Sequence, residues 1–138
     1  MILKRSIIIL SLSLLISCAV KESHPIVGEW KFIESSFPLA ETCNDTTFSF
    51  TTEGLLLSSS GKLHEKKSYS VKQYRDGYLV QTRHLSDNDE DNCQGIPASL
   101  ARKHPINKIY LEVTDKGHNL KLHYHPKKDN GFILASRL

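Results

Sequence analysis

The chain has no apolar run of the roughly 20 residues that a membrane-crossing helix needs; its longest, Ile7 to Ile16, is shorter and is broken by Ser11 and Ser13. It has no G-x-S-x-G elbow, no H-E-x-x-H pair and no glycine-rich phosphate loop, so these hydrolase, zinc-protease and nucleotide chemistries have no sequence support. Cysteine is scarce, three in 138 residues with no C-x-x-C spacing, which argues against a structural zinc site. No charge of one sign dominates. The formal net charge is +3, and a balance that small gives no electrostatic footprint for nucleic acid.

What is present begins at the N-terminus. Lys4 and Arg5 precede the apolar run, the order of an export signal. The run ends in Leu15-Ile16-Ser17-Cys18, which resembles the lipobox of bacterial lipoproteins. The resemblance implies that residues 1–17 are removed and that the Cys18 thiol carries a diacylglycerol. With an acyl group on the new amine, the chains exceed the two-signal threshold for stable membrane anchoring. Ala19 stands where an Asp favours inner-membrane retention, so the resemblance points to the outer membrane, with the protein facing the periplasm. Residues 18–25 then read as a short lipidated tether and 26–138 as the folded domain. The plainer alternative is a signal cut elsewhere and an ordinary thiol at Cys18. Removing Lys4 and Arg5 with the leader takes the formal charge from +3 to +1 and leaves 121 residues, enough for one core.

If Cys18 is acylated, Cys43 and Cys93 remain in an oxidising compartment, and an even remainder favours a disulfide. Closing a loop of that length restricts the unfolded chain by about 4 kcal/mol on the entropy model. Two reduced buried thiols or a pair of metal ligands are the alternatives.

From Ile26 onwards, short segments of period two are separated by Gly, Asn and Asp, the pattern of antiparallel β-structure. Phe48 and Phe50 alternate with Thr47 and Ser49, and a Thr51–Gly54 connection would set Phe50 against Leu55 and Phe48 against Leu57. Asp76-Gly77 reads as a hairpin turn before Tyr78-Leu79-Val80. Residues 86–105 form one long connection, in which 97–102 could make one or two helical turns. An Asp115–His118 loop would pair Val113 with Leu120, Leu111 with Leu122 and Ile109 with Tyr124, with Glu112 facing Lys121 and Tyr110 facing His123 on the other side. Asp129-Asn130-Gly131 turns into a last strand, Phe132 to Leu138. The expected fold is all-β: a small antiparallel up-and-down barrel of about eight strands, closed because an open sheet would leave two edges exposed.

Gly28-Glu29-Trp30 on the first strand resembles the G-x-W signature of lipocalins, and Arg137 stands where that family places an arginine across the tryptophan to close one end of the barrel. The lipocalin C-terminal helix pattern and the second family motif are absent. A closer resemblance is to small proteobacterial lipoproteins with a lipocalin-like barrel, a group without an assigned activity. In these a cysteine precedes a Thr/Phe strand and a Thr-x-x-Gly turn, as Cys43 precedes Thr46-Thr47-Phe48, and a second cysteine is closely followed by glycine, as in Cys93-Gln94-Gly95. This resemblance implies the barrel and the Cys43–Cys93 bridge, with 86–105 as a disulfide-tied loop.

The inward aromatic set, Trp30, Phe32, Phe48, Phe50, Tyr69 and Tyr78, is either ligand lining or core, since eight-stranded barrels are filled by side chains or hold one small ligand. His84 is expected to face inward with Tyr69 and Thr82, as an acid or base or, the favoured reading, as a satisfied polar core group. His123 and His125 share a face of one strand, but the register puts them outside beside Tyr110 and Lys108, where an ammonium opposes a metal. Asp87, Asp89 and Asp91 imitate the opening of a calcium loop, yet Asn92 replaces its glycine and Ala98 its final glutamate. No metal, cofactor or catalytic residue is assigned.

Two functional readings result. The first is a non-enzymatic envelope lipoprotein that binds a small apolar or lipid-derived ligand in or at the mouth of the barrel. The second is a protein-interaction module, an envelope assembly factor or hydrolase inhibitor, acting through the 86–105 loop.

Overall fold

A computed structural model describes residues 23–124 and 131–138. Eight antiparallel strands follow one another round a closed barrel: β1 (Gly28–Ser35), β2 (Thr47–Phe50), β3 (Leu55–Ser60), β4 (Leu63–Tyr74), β5 (Gly77–Asp87), β6 (Ile106–Thr114), β7 (Asn119–His123) and β8 (Ile133–Arg137), with β8 pairing back on β1. One short helix, α1 (Ala98–Lys103), opens after Pro97 in the long β5–β6 connection. Because the strands alternate in direction, the connections fall into two sets. Those after β2, β4 and β6 are short and gather at the end where the chain enters. Those after β1, β3, β5 and β7 gather at the other end, three of them longer.

Period-two alternation fills the interior. Trp30, Phe50, Leu56, Val80, Leu111, Leu120 and Ala135 form the packed core, with Tyr69, Val71, Tyr78, Ile109 and Val113 against it. The β6–β7 register matches the sequence expectation at Val113/Leu120, Leu111/Leu122, Glu112/Lys121 and Tyr110/His123. The ladder ends at the Tyr110/His123 pair. Tyr124, expected opposite Ile109, lies beyond β7 with 64% of its surface exposed.

Three local expectations are corrected. Phe50 pairs with Leu56 and Phe48 with Ser58, one residue on from the expected Leu55 and Leu57. The cause is the turn: Thr51 N–H donates to Leu55 O, while Thr51 Oγ1 accepts from Leu55 N–H, so Leu55 belongs to the loop closure. The β4–β5 loop is Arg75-Asp76, Arg75 taking the left-handed φ of 52°, and Gly77 is already in the strand. Gly77 is small for a packing reason, since a Cβ there would lie 2.2 Å from Leu111 O. Finally, the folded part reaches back into the expected tether. Val27 N–H donates to His24 O, and the His24 ring meets Tyr78 edge-on at 4.5 Å.

Cys18, residues 1–17, His125 and the Asp129-Asn130 turn lie outside the described residues.

Candidate functional site

The two ends of the barrel are built differently. At the end where the chain enters, Trp30 is fully buried, its indole N–H donates to Ile26 O at 2.9 Å, and the Arg137 guanidinium lies 4.2 Å over its ring. Arg137 also donates to Gly117 O, Val27 O and Pro25 O. Gly28 makes room for this: a Cβ there would meet Arg137 Nη1 at 2.5 Å. The G-x-W tripeptide and the distant arginine therefore form one plug. That end is shut.

The opposite end carries a recess of about 370 Å3. Phe32 and Phe48 line it from the barrel, Phe37 and Leu39 from the β1–β2 connection, Leu122 and Ile133 from β7 and β8, and Tyr124 from just past the end of β7. The remaining wall is the Cys43–Cys93 disulfide with Thr46, Ser60, Asn92, Gln94 and Ile96. None of these described residues carries a formal charge. The rim is braced across connections by hydrogen bonds: Thr42 to Cys93 O, Cys93 N–H to Ser60, Ala40 N–H to Gln94, and Phe132 N–H to Ser36. A wider concavity of about 550 Å3 lies on the outside of the barrel over Ser49, Leu57, Lys66 and Ser86, and is an open saddle on the sheet.

Beside the recess, the same end holds a cluster of charges facing inward. A β-bulge makes it possible: Lys67 pairs with His84 and Lys66 with Ser86, leaving Leu85 as an extra residue. Residues three apart in a regular strand point to opposite faces, but with the bulge His84 and Asp87 both turn inward. His84 Nε2 lies 2.9 Å from Asp87 Oδ2 and Nδ1 lies 3.4 Å from Glu65 Oε2. The His84 and Asp87 side chains are only 9% and 2% exposed. These contacts are close in distance but poorly aligned, so Glu65 Oε2, His84 Nδ1 and Asp87 Oδ2 have no well-formed hydrogen bond. Arg102 from α1 completes the cluster, at 2.7 Å from both Asp87 and Asp89. Desolvation pushes the Asp87 carboxyl upward, but the Asp89 amide, Arg102 and His84 together outweigh it and hold it below the usual carboxylate value. The hydrogen bonds that Arg102 donates to Asp89 and then to Asp87 raise it above its ordinary range. Two carboxylates of the imitated calcium loop are thus engaged, Asp87 by Arg102 and His84 and Asp89 by Arg102. Among the described residues no group of three or more His, Cys, Asp or Glu side chains is arranged to hold a metal.

Of the seven residues expected to line a ligand space, Phe32 and Phe48 do line the recess. Trp30 and Phe50 are core, and Tyr69 and Tyr78 pack against it. His84 belongs to the charged cluster instead. His123 is on the outer face as expected, but it is buried there at 2% exposure, against Glu112 at 3.0 Å and among the rings of Tyr110 and Phe132. Phe37, Leu39, Leu122 and Ile133 are not among the lining residues expected from sequence, where Leu122 reads as part of the apolar face of the β6–β7 hairpin. Phe37-Pro38-Leu39, an apolar patch in a connecting segment just before a cysteine, is the signal that could have found two of them.

Comparison with protein-family models, with curated proteins and with solved structures returned no match.

Proposed function

We propose that this domain is a non-enzymatic binding module of the bacterial cell envelope, held by a lipid on Cys18, which takes a small apolar or lipid-derived molecule in the recess at its open end. One observation carries the reading: the recess is uncharged among its described residues, largely apolar, and sits directly above a filled core. A volume of about 370 Å3 lies near the bottom of the ~300–1,000 Å3 range of small-molecule sites, which suits a single short acyl or ring-sized molecule. The chain enters at the plugged end, so an anchor at Cys18 leaves the mouth as the part farthest from the attachment. The likeness to lipocalin-like lipoproteins supports the same reading, as does the lipobox resemblance with Ala19 after it, which points to the outer membrane on the periplasmic side.

The test is native mass spectrometry of the full chain after mild detergent extraction, with and without Phe48→Asp, which puts a charge into the recess wall. The expected result is a bound apolar species on the wild type and at least a tenfold lower occupancy on the variant. A wild-type spectrum with no bound species, or equal occupancy on a folded variant, overturns the proposal.

The interaction-module reading has one observation in its favour. Ile96 and Leu100 are each more than two-fifths exposed on the same long connection. In-cell crosslinking from a probe at Gln94 or Leu100 decides it, and capture of no protein partner counts against it.

A further inference from the structure

The near-neutral net charge conceals a segregation that only the register reveals. On the outer face of β3, β4 and β5 the outward positions are Leu, Ser, Gln, Tyr, His, Lys and Arg, and none is acidic. The exposed cations Lys66, Lys72 and Arg83 are joined by Lys108 on the neighbouring β6, and none of the four takes part in a salt bridge among the described residues. The carboxylates of the same strands, Glu65 and Asp87, are turned into the barrel, and the acid that shares the outer concavity with Lys66 is Glu29 of β1, away from the hollow between Lys72 and Lys108. Glu112, on the far part of β6, is held by His123, and Asp76 lies in the β4–β5 turn beside Arg75. Strands ~4.8 Å apart, with ~6.7 Å between alternate residues, put successive cations in the series Lys66, Arg83, Lys108, Lys72 roughly 8–12 Å apart, and Lys66 about 20 Å from Lys72. Between Lys72 and Lys108 the face is hollowed by about 280 Å3, with Ser70 and Gln81 in its lining as further hydrogen-bonding groups. Two ammonium groups flanking a hydroxyl and an amide suit a phosphate oxyanion.

We infer that this face docks on a bilayer surface bearing anionic phosphate head groups. The point where the chain enters adds a geometric reason: His24 packs on Tyr78 inside the plugged end, one position along β5 from Leu79 of the hollow, so the N-terminal segment leaves the barrel at the end nearer the hollow. The five Cα–Cα steps from Cys18 to Ser23 span at most about 18 Å. In this respect the inference rests on the anchored reading proposed above. An anchor that short keeps the face within reach of head groups, where each Lys or Arg strengthens adsorption and salt weakens it. Docked this way, the barrel lies on its side, with its mouth at the level of the lipid surface.

The experiment is amine-reactive footprinting by mass spectrometry of the full purified chain in nanodiscs of phosphatidylcholine, alone or with phosphatidylglycerol. The intact mass of the same sample shows whether Cys18 is acylated. Lys66, Lys72 and Lys108 should label at least threefold more slowly in the anionic discs, with Lys31 and Lys116 unchanged and the difference abolished by 0.5 M salt. Co-sedimentation with anionic vesicles gives a second readout: Lys72→Gln with Lys108→Gln should weaken the anionic preference on the order of 30-fold, for about 1 kcal/mol per cation. Equal labelling in both discs together with no anionic preference in sedimentation overturns the docking, whether or not the chain is acylated. Shielding by soluble polyphosphate but not by anionic discs overturns the lipid source. An unacylated mass with retained anionic preference overturns the anchor and leaves the docking standing.

Discussion

The plugged end and the open end of this barrel share strands, yet they solve different problems. At the plug, Trp30, Arg137 and Gly28 satisfy one another: the indole N–H has a carbonyl, the guanidinium has three, and the ring has a cation over it. At the mouth, Glu65, His84 and Asp87 are buried with polar atoms that lack well-aligned hydrogen bonds, and the apolar wall encloses space. A satisfied, filled end contributes stability. An end with room and underused polar atoms is where binding can occur, since misaligned buried charge is tolerated only where the surrounding structure supports it.

The contrast is breakable. The largest effect should come from Trp30→Ala, which removes a fully buried indole and deprives Arg137 of its ring; a loss of about 3–5 kcal/mol is expected in denaturant unfolding. Phe48→Ala, in a recess wall already open on one side, should cost clearly less. Equal costs for the two would remove the asymmetry.

Next comes the disulfide. Replacing Cys43 and Cys93 together by Ser should cost about 2–4 kcal/mol, and hydrogen exchange should rise at residues 37–46 and 92–96 while 110–122 stay protected. A uniform rise over the whole barrel would show that the bridge stabilises the plug as much as the rim.

The smallest effect is a response to acid. Asp87 titrates below its ordinary value in the folded state, so its contribution is fully present above the unfolded carboxylate pKa of ~3.9 and is lost as pH falls through the depressed folded value. Between pH 5 and pH 2.5 the Arg102 contact should release, and α1 amides should exchange faster, after correction for intrinsic rates, than those around Trp30. The same exchange profile at both pH values would show that Arg102 does not hold α1 to the barrel.

Much of the fold is legible in the residues. The β6–β7 hairpin can be read without a structure because Asp115–His118 is the one loop that makes both faces of the ladder sensible. Trp30 and Arg137 can be matched as a plug through the family likeness. The β2–β3 register is not legible, since Leu55, Leu56 and Leu57 are chemically identical and only the Thr51–Leu55 closure chooses among them. Gly77 looks like a turn residue because its close neighbour, Leu111 O, is thirty-four positions away in sequence. His123 reads as surface because alternation says which side of the sheet a residue takes, not what covers that side.

By itself the sequence determined the alternation that makes strands, the loops that reverse them, the two cysteines able to pair and the wide plug residues, all of which depend on near neighbours or on residue type. The tertiary structure alone decided which aromatics fill the barrel and which line space, that a bulge at Leu85 turns His84 and Asp87 to the same side, and that four lysines and arginines share the outer face of β4 to β6. The physical reason is common to all three: each depends on register across strands, and a shift of one residue, invisible in composition, exchanges inside for outside.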